Sequence, residues 1–337
     1  MIMKAVQSIA VIGAGSWGTA LAAIARRAGR DVVLYARDSG LAHAINATHK
    51  NPIYLPDITL DAGIRATANM EEALAGAELI LFVTPAQYMR ETLQRMKDYM
   101  PPGVPLVNCA KGIEIASGSL LAGVAADVVP DTPYAVLSGP TFASEAVRGL
   151  PSAATLATAA PEAAALRWAE ALKSNTFRPY LSDDPAGAEV AGALKNVIAI
   201  ACGIVEGRNL GQNARAALMT RGMAEMKRFG LTRGAKMETF LGLAGIGDVM
   251  LTCNSMTSRN FSLGHALGTG EKLGDIIKNR RTVAEGVATA RAVAEAAAHD
   301  AVDMPICLAV DQILHSNARV EDVIMALLSR DIRTETQ

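Results

Sequence analysis

The sequence predicts an α/β chain. A doubly wound, mostly parallel sheet domain is expected over residues 1–185, followed by an all-helical domain over residues 186–337. Three observations predict it. The apolar run Ser8 to Ile12 passes directly into Gly13-Ala14-Gly15-Ser16-Trp17-Gly18 and then into a helical pattern that stops at Gly29. Further strand-like apolar runs alternate with helical stretches up to about residue 185, as parallel sheets require. From Pro185 onward every pattern is helical.

The first element, SIAVI, reads as a buried parallel strand. The glycine turn after it has the G-x-G-x-x-G spacing between strand and helix. Gly13 permits the tight turn, Gly15 lets the backbone approach a pyrophosphate, and Gly18 lets helix and strand pack closely. The N–H groups at the helix start then face phosphate. This is a Rossmann-type dinucleotide site; a tight turn in another α/β fold is the plainer alternative. Asp31 to Ala36 is the next strand. Its end is where an acidic residue would hold the ribose of NAD, but Arg37 comes first and Asp38 second. An arginine there pairs with a 2′-phosphate, which favours NADP and leaves NAD open, as it does a simply solvated Arg37.

His43 to Pro56 reads as a polar connection. Glu78 to Thr84 and Pro105 to Cys109 read as buried strands. The second delivers Lys111 to the carboxyl end of the sheet, where ligands of such folds bind. Tyr134 to Leu137 ends in the loop Ser138 to Ala143. Ser152 to Thr158 and Thr176 to Leu181 suggest further strands, in an antiparallel extension.

The helical half opens with Glu189 to Gly203, preceded by Asp184 as a cap and Pro185 at the first position. Lys195 stands in the middle of this apolar helix with no carboxylate nearby in sequence. Its helical neighbours Ala191, Gly192, Ala199 and Cys202 are small. Either Lys195 snorkels from a core helix or it works in a site. A second helix is expected from a cap at Asn213 to a stop at Gly230. Leu241 to Asp248 reads as a helix end and tight turn. Ser258 is a plausible cap that puts Arg259 and Asn260 in a first turn, where an anion could bind; an exposed helix arginine is the alternative. Helices are also expected after Val283-Ala284-Glu285-Gly286, from Pro305, and over Val320 to Leu328.

The totals narrow the function. A chain of 337 residues, half hydrophobic, can hold two cored domains. A net charge of −1 gives no sign of a nucleic-acid or membrane-surface protein. The four cysteines form no CxxC and read as free buried thiols of a reducing cytoplasm. The histidines lack metal-ligand spacing. No signal peptide or uncharged membrane span is evident. The residues describe a nicotinamide-dinucleotide enzyme in which Lys195 and Lys111 supply a proton and fixed positive charge to a carbonyl oxygen. A second lysine and burial would both lower the Lys195 pKa.

The chain closely resembles bacterial NAD(P)-dependent glycerol-3-phosphate dehydrogenases. The resemblance is carried by GAGSWGTALA (13–22), LYAR (34–37), AKGIE (110–114), SGPTFASE (138–145), GALKNVIAIACG (192–203), GQNARAALMTRGMAEM (211–226), LAGIGDVMLTC (243–253), SRN (258–260) and AEG (284–286). It implies reversible reduction of dihydroxyacetone phosphate to sn-glycerol 3-phosphate for phospholipid synthesis, in a cytoplasmic, commonly homodimeric enzyme. By the same similarity Lys195 is the general acid/base and Lys111 contacts cofactor and substrate. Gly139, Thr141, Asp248, Ser258, Arg259 and Asn260 are expected on the phosphate-ester substrate. Ser16, Trp17, Arg37, Ala143, Arg259, Val283 and Glu285 are expected on the dinucleotide. The resemblance also implies a 6-phosphogluconate dehydrogenase-like fold. Two alternatives remain. One is another lysine-dependent dehydrogenase of a β-hydroxy acid or sugar acid, such as the 6-phosphogluconate or 3-hydroxyisobutyrate type. The other is a cofactor-binding sensor without turnover.

Overall fold

The computed structural model describes residues 4–279, 284–332 and 334. Its sheet has eight strands: β1 (Ser8–Ile12), β2 (Asp31–Tyr35), β3 (Ile64–Thr67), β4 (Leu79–Phe82), β5 (Leu106–Asn108), β6 (Tyr134–Ser138), β7 (Ser152–Ala157) and β8 (Phe177–Ser182). The order is β3-β2-β1-β4-β5-β6-β7-β8. All neighbours are parallel except β6 and β7, so β7 and β8 form the antiparallel extension that the sequence suggested. The strand order reverses between β1 and β4, whose carboxyl ends open the ligand crevice of such sheets.

Among the described residues seven α-helices accompany the sheet: α1 (Ser16–Arg27), α2 (Ser39–Thr48), α3 (Met70–Leu74), α4 (Met89–Met96), α5 (Leu121–Val128), α6 (Ala143–Ala146) and α7 (Glu162–Glu170). They bury apolar stripes on both faces of the sheet, in two separate clusters of core side chains. Two elements depart from the sequence reading. The segment expected as a polar connection from His43 begins inside α2, which Asp38 caps by accepting from the Leu41 N–H at 3.0 Å. Only Leu41, Ala42 and Ile45 of α2 are buried, too narrow a stripe to stand out in sequence. Strand β3 had no counterpart in the reading; it is four residues long, at the sheet edge, and carries an exposed arginine.

Beyond Ser182 the regular elements described are helical: α8 (Pro185–Gly207), α9 (Gly211–Thr232), α10 (Met237–Phe240), a π-turn over Leu243–Gly247, α11 (Asp248–Thr252), α12 (Arg259–Gly268), α13 (Leu273–Lys278), α14 (Glu285–His299), α15 (Pro305–His315) and α16 (Val320–Leu328). Asp184 caps α8 through the Gly187 N–H at 2.8 Å, with Pro185 in its first turn. Helix α9 begins two residues before the expected cap at Asn213 and runs past the expected stop at Gly230. Gly230 is there for packing: an added Cβ would stand 2.3 Å from the Phe240 ring.

Helix α8 is the axis of this half. It is long and apolar enough to cross a membrane, yet its apolar stretch is wholly buried inside the protein. Residues from Gly187 to Val205 are buried without a break. Helix α12 crosses it at backbone contact. A Cβ on Gly203 would lie 2.0 Å from the Phe261 carbonyl oxygen, and one on Gly264 would lie 2.0 Å from that of Ile200. The glycines of α8 thus trade helix propensity, about 1 kcal/mol each, for close approach. Gly203→Ala is expected to lower stability by about 1–3 kcal/mol through overpacking, read as a lower urea midpoint at unchanged m value.

Candidate active site

One cleft of about 730 Å³ runs from the glycine turn to helix α8. At one end the turn has the geometry its glycines demand. Gly13 has φ 122°, and a Cβ on Gly18 would lie 1.8 Å from the Gly13 oxygen. Nothing stands within 4 Å of where a Gly15 Cβ would be, so that face is open. The buried Asn51 braces the turn, donating to the Ala14 oxygen at 2.9 Å and to Thr19 Oγ1 at 2.8 Å.

These residues fit a dinucleotide. No side chain caps the start of α1 and no acid stands in its first turn, so its N–H groups are free for phosphate. Trp17 lines the cleft with a buried Nε1 that has no hydrogen-bond partner among the described residues. Ser16, Ala143 and Glu285 also line it, and Arg37 is exposed at its rim. Val283 lies outside the described residues.

At the other end three helices and a loop converge. Lys195 reaches from the middle of α8, and Lys111 from the loop after β5. Asp248, the first residue of α11, takes both: Lys195 Nζ donates to Oδ1 at 2.6 Å, and Lys111 Nζ donates to Oδ2 at 2.6 Å. Lys195 also donates to Thr252 Oγ1 at 2.9 Å, and that hydroxyl donates back to Asp248 Oδ1 at 3.0 Å. Asp248 is completely buried, Lys195 is buried, and Lys111 is half-buried.

Two expectations change here. Lys195 has no carboxylate near it in sequence but has one in space. Asp248, expected against a substrate hydroxyl, lies beneath the lysines with both oxygens engaged. Gly192 faces the same region: a Cβ there would stand 3.2 Å from Ser138 Oγ, a tight approach, and 3.4 Å from Lys111 Cγ, an ordinary contact.

The protonation pattern follows from burial and charge. Burial lowers the Lys195 pKa, Asp248 pulls it back up, and Lys111 lowers it further; the outcome is about 8. Burial alone would raise the Asp248 carboxyl, but Lys111 and Lys195 outweigh it and hold it below the ordinary range. One carboxylate between two ammonium groups leaves surplus positive charge at the cleft floor. Glu285 faces the same charges; burial raises its carboxyl while Arg259, Lys111 and Lys195 oppose the rise.

The SRN block closes the cleft. Ser258 caps α12, accepting from the Phe261 N–H at 3.2 Å, and exposed Arg259 and buried Asn260 follow in its first turn. All three line the cleft with Thr141. Asn260 is more constrained than expected. It donates to Asn196 Oδ1 at 2.8 Å and accepts from the Gly286 N–H at 3.0 Å. Gly139 does not line the cleft; its close neighbour is the backbone of β7, where a Cβ would meet Ala154 Cα at 2.8 Å. Asn196 and Thr252, not singled out in sequence, both line the cleft. Their signals were adjacency to Lys195 and helical i, i+4 spacing from Asp248.

Two family models match the chain: the N-terminus of NAD-dependent glycerol-3-phosphate dehydrogenase over residues 8–164, and the C-terminus of the same family over 184–325. A glycerol-3-phosphate dehydrogenase [NAD(P)+] of Rhodospirillum rubrum is 54% identical over 330 residues, covering 98% of this chain and 94% of the relative. The chain belongs to the glycerol-3-phosphate dehydrogenase family. Another such relative, of Parvibaculum lavamentivorans, is 51% identical over 98% of this chain and 99% of its own. The crystal structure of glycerol-3-phosphate dehydrogenase from Coxiella burnetii superposes with a TM-score of 0.92 at 37% identity, covering 96% of this chain and 99% of that one. The fold is therefore the Rossmann-type sheet with an all-helical second half that this family shares, and the chain is an NAD(P)-dependent oxidoreductase.

The electrostatics give a direct expectation. Lys195, followed by NMR in protein labelled at the lysine side chains, should titrate with a midpoint near 8. Lys111→Gln removes a repelling cation and should move that midpoint up. A wild-type midpoint at the ordinary 10.5 would contradict the burial argument.

Proposed function

We propose that this chain reduces dihydroxyacetone phosphate to sn-glycerol 3-phosphate, reversibly, with Lys195 as general acid and base. The observation that carries the reading is the pair Lys195 and Lys111 gathered on buried Asp248 at the end of a cleft that begins at the glycine turn. A bound nicotinamide supplies the hydride that reaches the carbonyl carbon. Lys195 Nζ–H donates a proton to the oxygen as negative charge develops on it, and in the reverse direction neutral Lys195 accepts the proton. Lys111 remains as fixed positive charge beside the oxyanion. Thr252 and Asp248 hold Lys195 in one orientation, which keeps its proton directed.

The phosphate end suits Arg259 and the N–H groups at the start of α12, which line the same cleft. Ser258, Asn260 and Thr141 border it and supply polar contacts. Gly139 lies in the loop that carries Thr141 and packs against β7. We assign residues 1–185 to the cofactor and 186–337 to the substrate. NADP is favoured because Asp38 spends its carboxylate on capping α2, while Arg37 stands exposed at the cleft rim. The homodimer, the cytoplasmic setting and the link to phospholipid synthesis rest on family resemblance.

The test is a turnover assay with NADH and NADPH side by side, on dihydroxyacetone phosphate and on unphosphorylated dihydroxyacetone. The phosphate ester is expected to react, and dihydroxyacetone to be poorer by at least about a hundredfold in kcat/KM, because it forgoes the binding energy of a phosphate at Arg259 and the start of α12. Arg37→Asp should weaken NADPH and spare NADH. Equal reaction of both ketones would remove Arg259 from the phosphate role, and an unchanged cofactor preference would remove Arg37 from discrimination.

A further inference from the structure

Glu189 takes no part in the steps above, yet it is one of the most constrained carboxylates in the chain. It lies on α8 six residues before Lys195, about 9 Å along the axis, and is 4% exposed. Its side chain leaves the helical half and enters the sheet. Oε1 accepts from Tyr134 Oη of β6 at 2.5 Å and from Asn108 Nδ2 of β5 at 3.2 Å. Oε2 accepts from the Ala122 N–H, in the first turn of α5, at 3.1 Å. These partners are neutral. Burial pushes the carboxyl up to about 7, against the pull of those donors.

Asn108 is the second link. It is completely buried. Its Nδ2 faces Glu189, and its Oδ1 accepts from the Ala110 N–H at 3.0 Å. Ala110 is the residue before Lys111. An amide held at one end by a carboxylate on α8 and at the other by the Lys111 loop has one orientation available. The chain α8–Glu189–Asn108–Ala110 therefore joins the element bearing Lys195 to the loop bearing Lys111.

We propose that Glu189 is a positioning residue: through Asn108 it sets the Lys111 loop in register with helix α8, so that both lysines reach Asp248 together. This rests on reading the two lysines as the reactive pair. A hydrophobic residue of similar size would brace the interface at lower cost. It could not fix the direction of the Asn108 amide, and direction is what the lysine loop needs. Misplacing a reacting group by about 1 Å costs on the order of a hundredfold in rate.

The test compares Asn108→Ala, Glu189→Leu, their double variant and Tyr134→Phe in the full chain; leucine leaves no acceptor for the Asn108 amide. It measures kcat and KM for dihydroxyacetone phosphate, NADPH affinity and Tm. Asn108→Ala and Glu189→Leu are expected to lower kcat by about ten- to a hundredfold at unchanged NADPH affinity. The double variant should be no slower than the slower single one, because both cut one chain. Tyr134→Phe removes another bond to the same carboxylate but leaves the Asn108 link. It should lower Tm and keep wild-type kcat.

Losses of kcat that follow losses of Tm across the set, Tyr134→Phe included, would reduce Glu189 to a brace and overturn the proposal; so would wild-type kcat in Asn108→Ala. If Glu189→Leu fails to fold, Asn108→Ala and Tyr134→Phe still decide. A wild-type protein inactive on dihydroxyacetone phosphate would instead overturn the proposed reaction. The register is then read without turnover, from the Lys195 titration: Asn108→Ala should move its midpoint up as Lys111 withdraws, and an unmoved midpoint would overturn the positioning role.

Discussion

A single buried carboxylate, Asp248, organises the site. Two ammonium groups 2.6 Å from its two oxygens would repel each other strongly without it. With it, they sit side by side on one floor. Taking three charged groups out of water costs several kcal/mol per ion, and mutual attraction repays this only with good geometry. Removing one partner leaves the others uncompensated. The cluster is therefore poor at general stabilisation and well suited to holding one lysine near its point of proton exchange.

The rest of the fold serves that geometry. Doubly wound topology puts the glycine turn and the Lys111 loop at the same edge of the sheet, on either side of β4. Helix α8 brings Lys195 to that edge from the other half of the chain. A small residue helps it do so: Gly203 lets α12 approach until Arg259 and Asn260 line the cleft. The π-turn at Leu243–Gly247 then ends where Asp248 must point, with Gly245 at φ −93° and ψ −107° breaking the helical path.

Much of this was legible in the sequence because it depends on local chemistry. The glycine spacing, the Asp184–Pro185 helix start and the Ser258 cap are each decided by a few adjacent residues, and each appears as read. The four cysteines are free and buried, as their spacing suggested. What was not legible depends on contacts distant in sequence. Lys195 reads as lacking a carboxylate in sequence because Asp248 is 53 residues away. Gly230 read as a helix stop because its reason, the ring of Phe240, comes later in the chain. Thr252 was missed because the helix that aligns it with Asp248 begins at the end of an irregular turn. Helix α2 and strand β3 were missed because each buries too few apolar side chains to leave a pattern.

The most direct measurement is the pH profile of kcat/KM for glycerol 3-phosphate oxidation in Asp248→Asn against wild type. In wild type the rate should rise with pH through about 8, as Lys195 loses its proton. Asp248 holds that value up and Lys111 pushes it down, so the asparagine variant should show the rise at lower pH, with reduced maximal rate. A rise that stays in place, or moves to higher pH, would contradict the view that Asp248 sets the charge of Lys195.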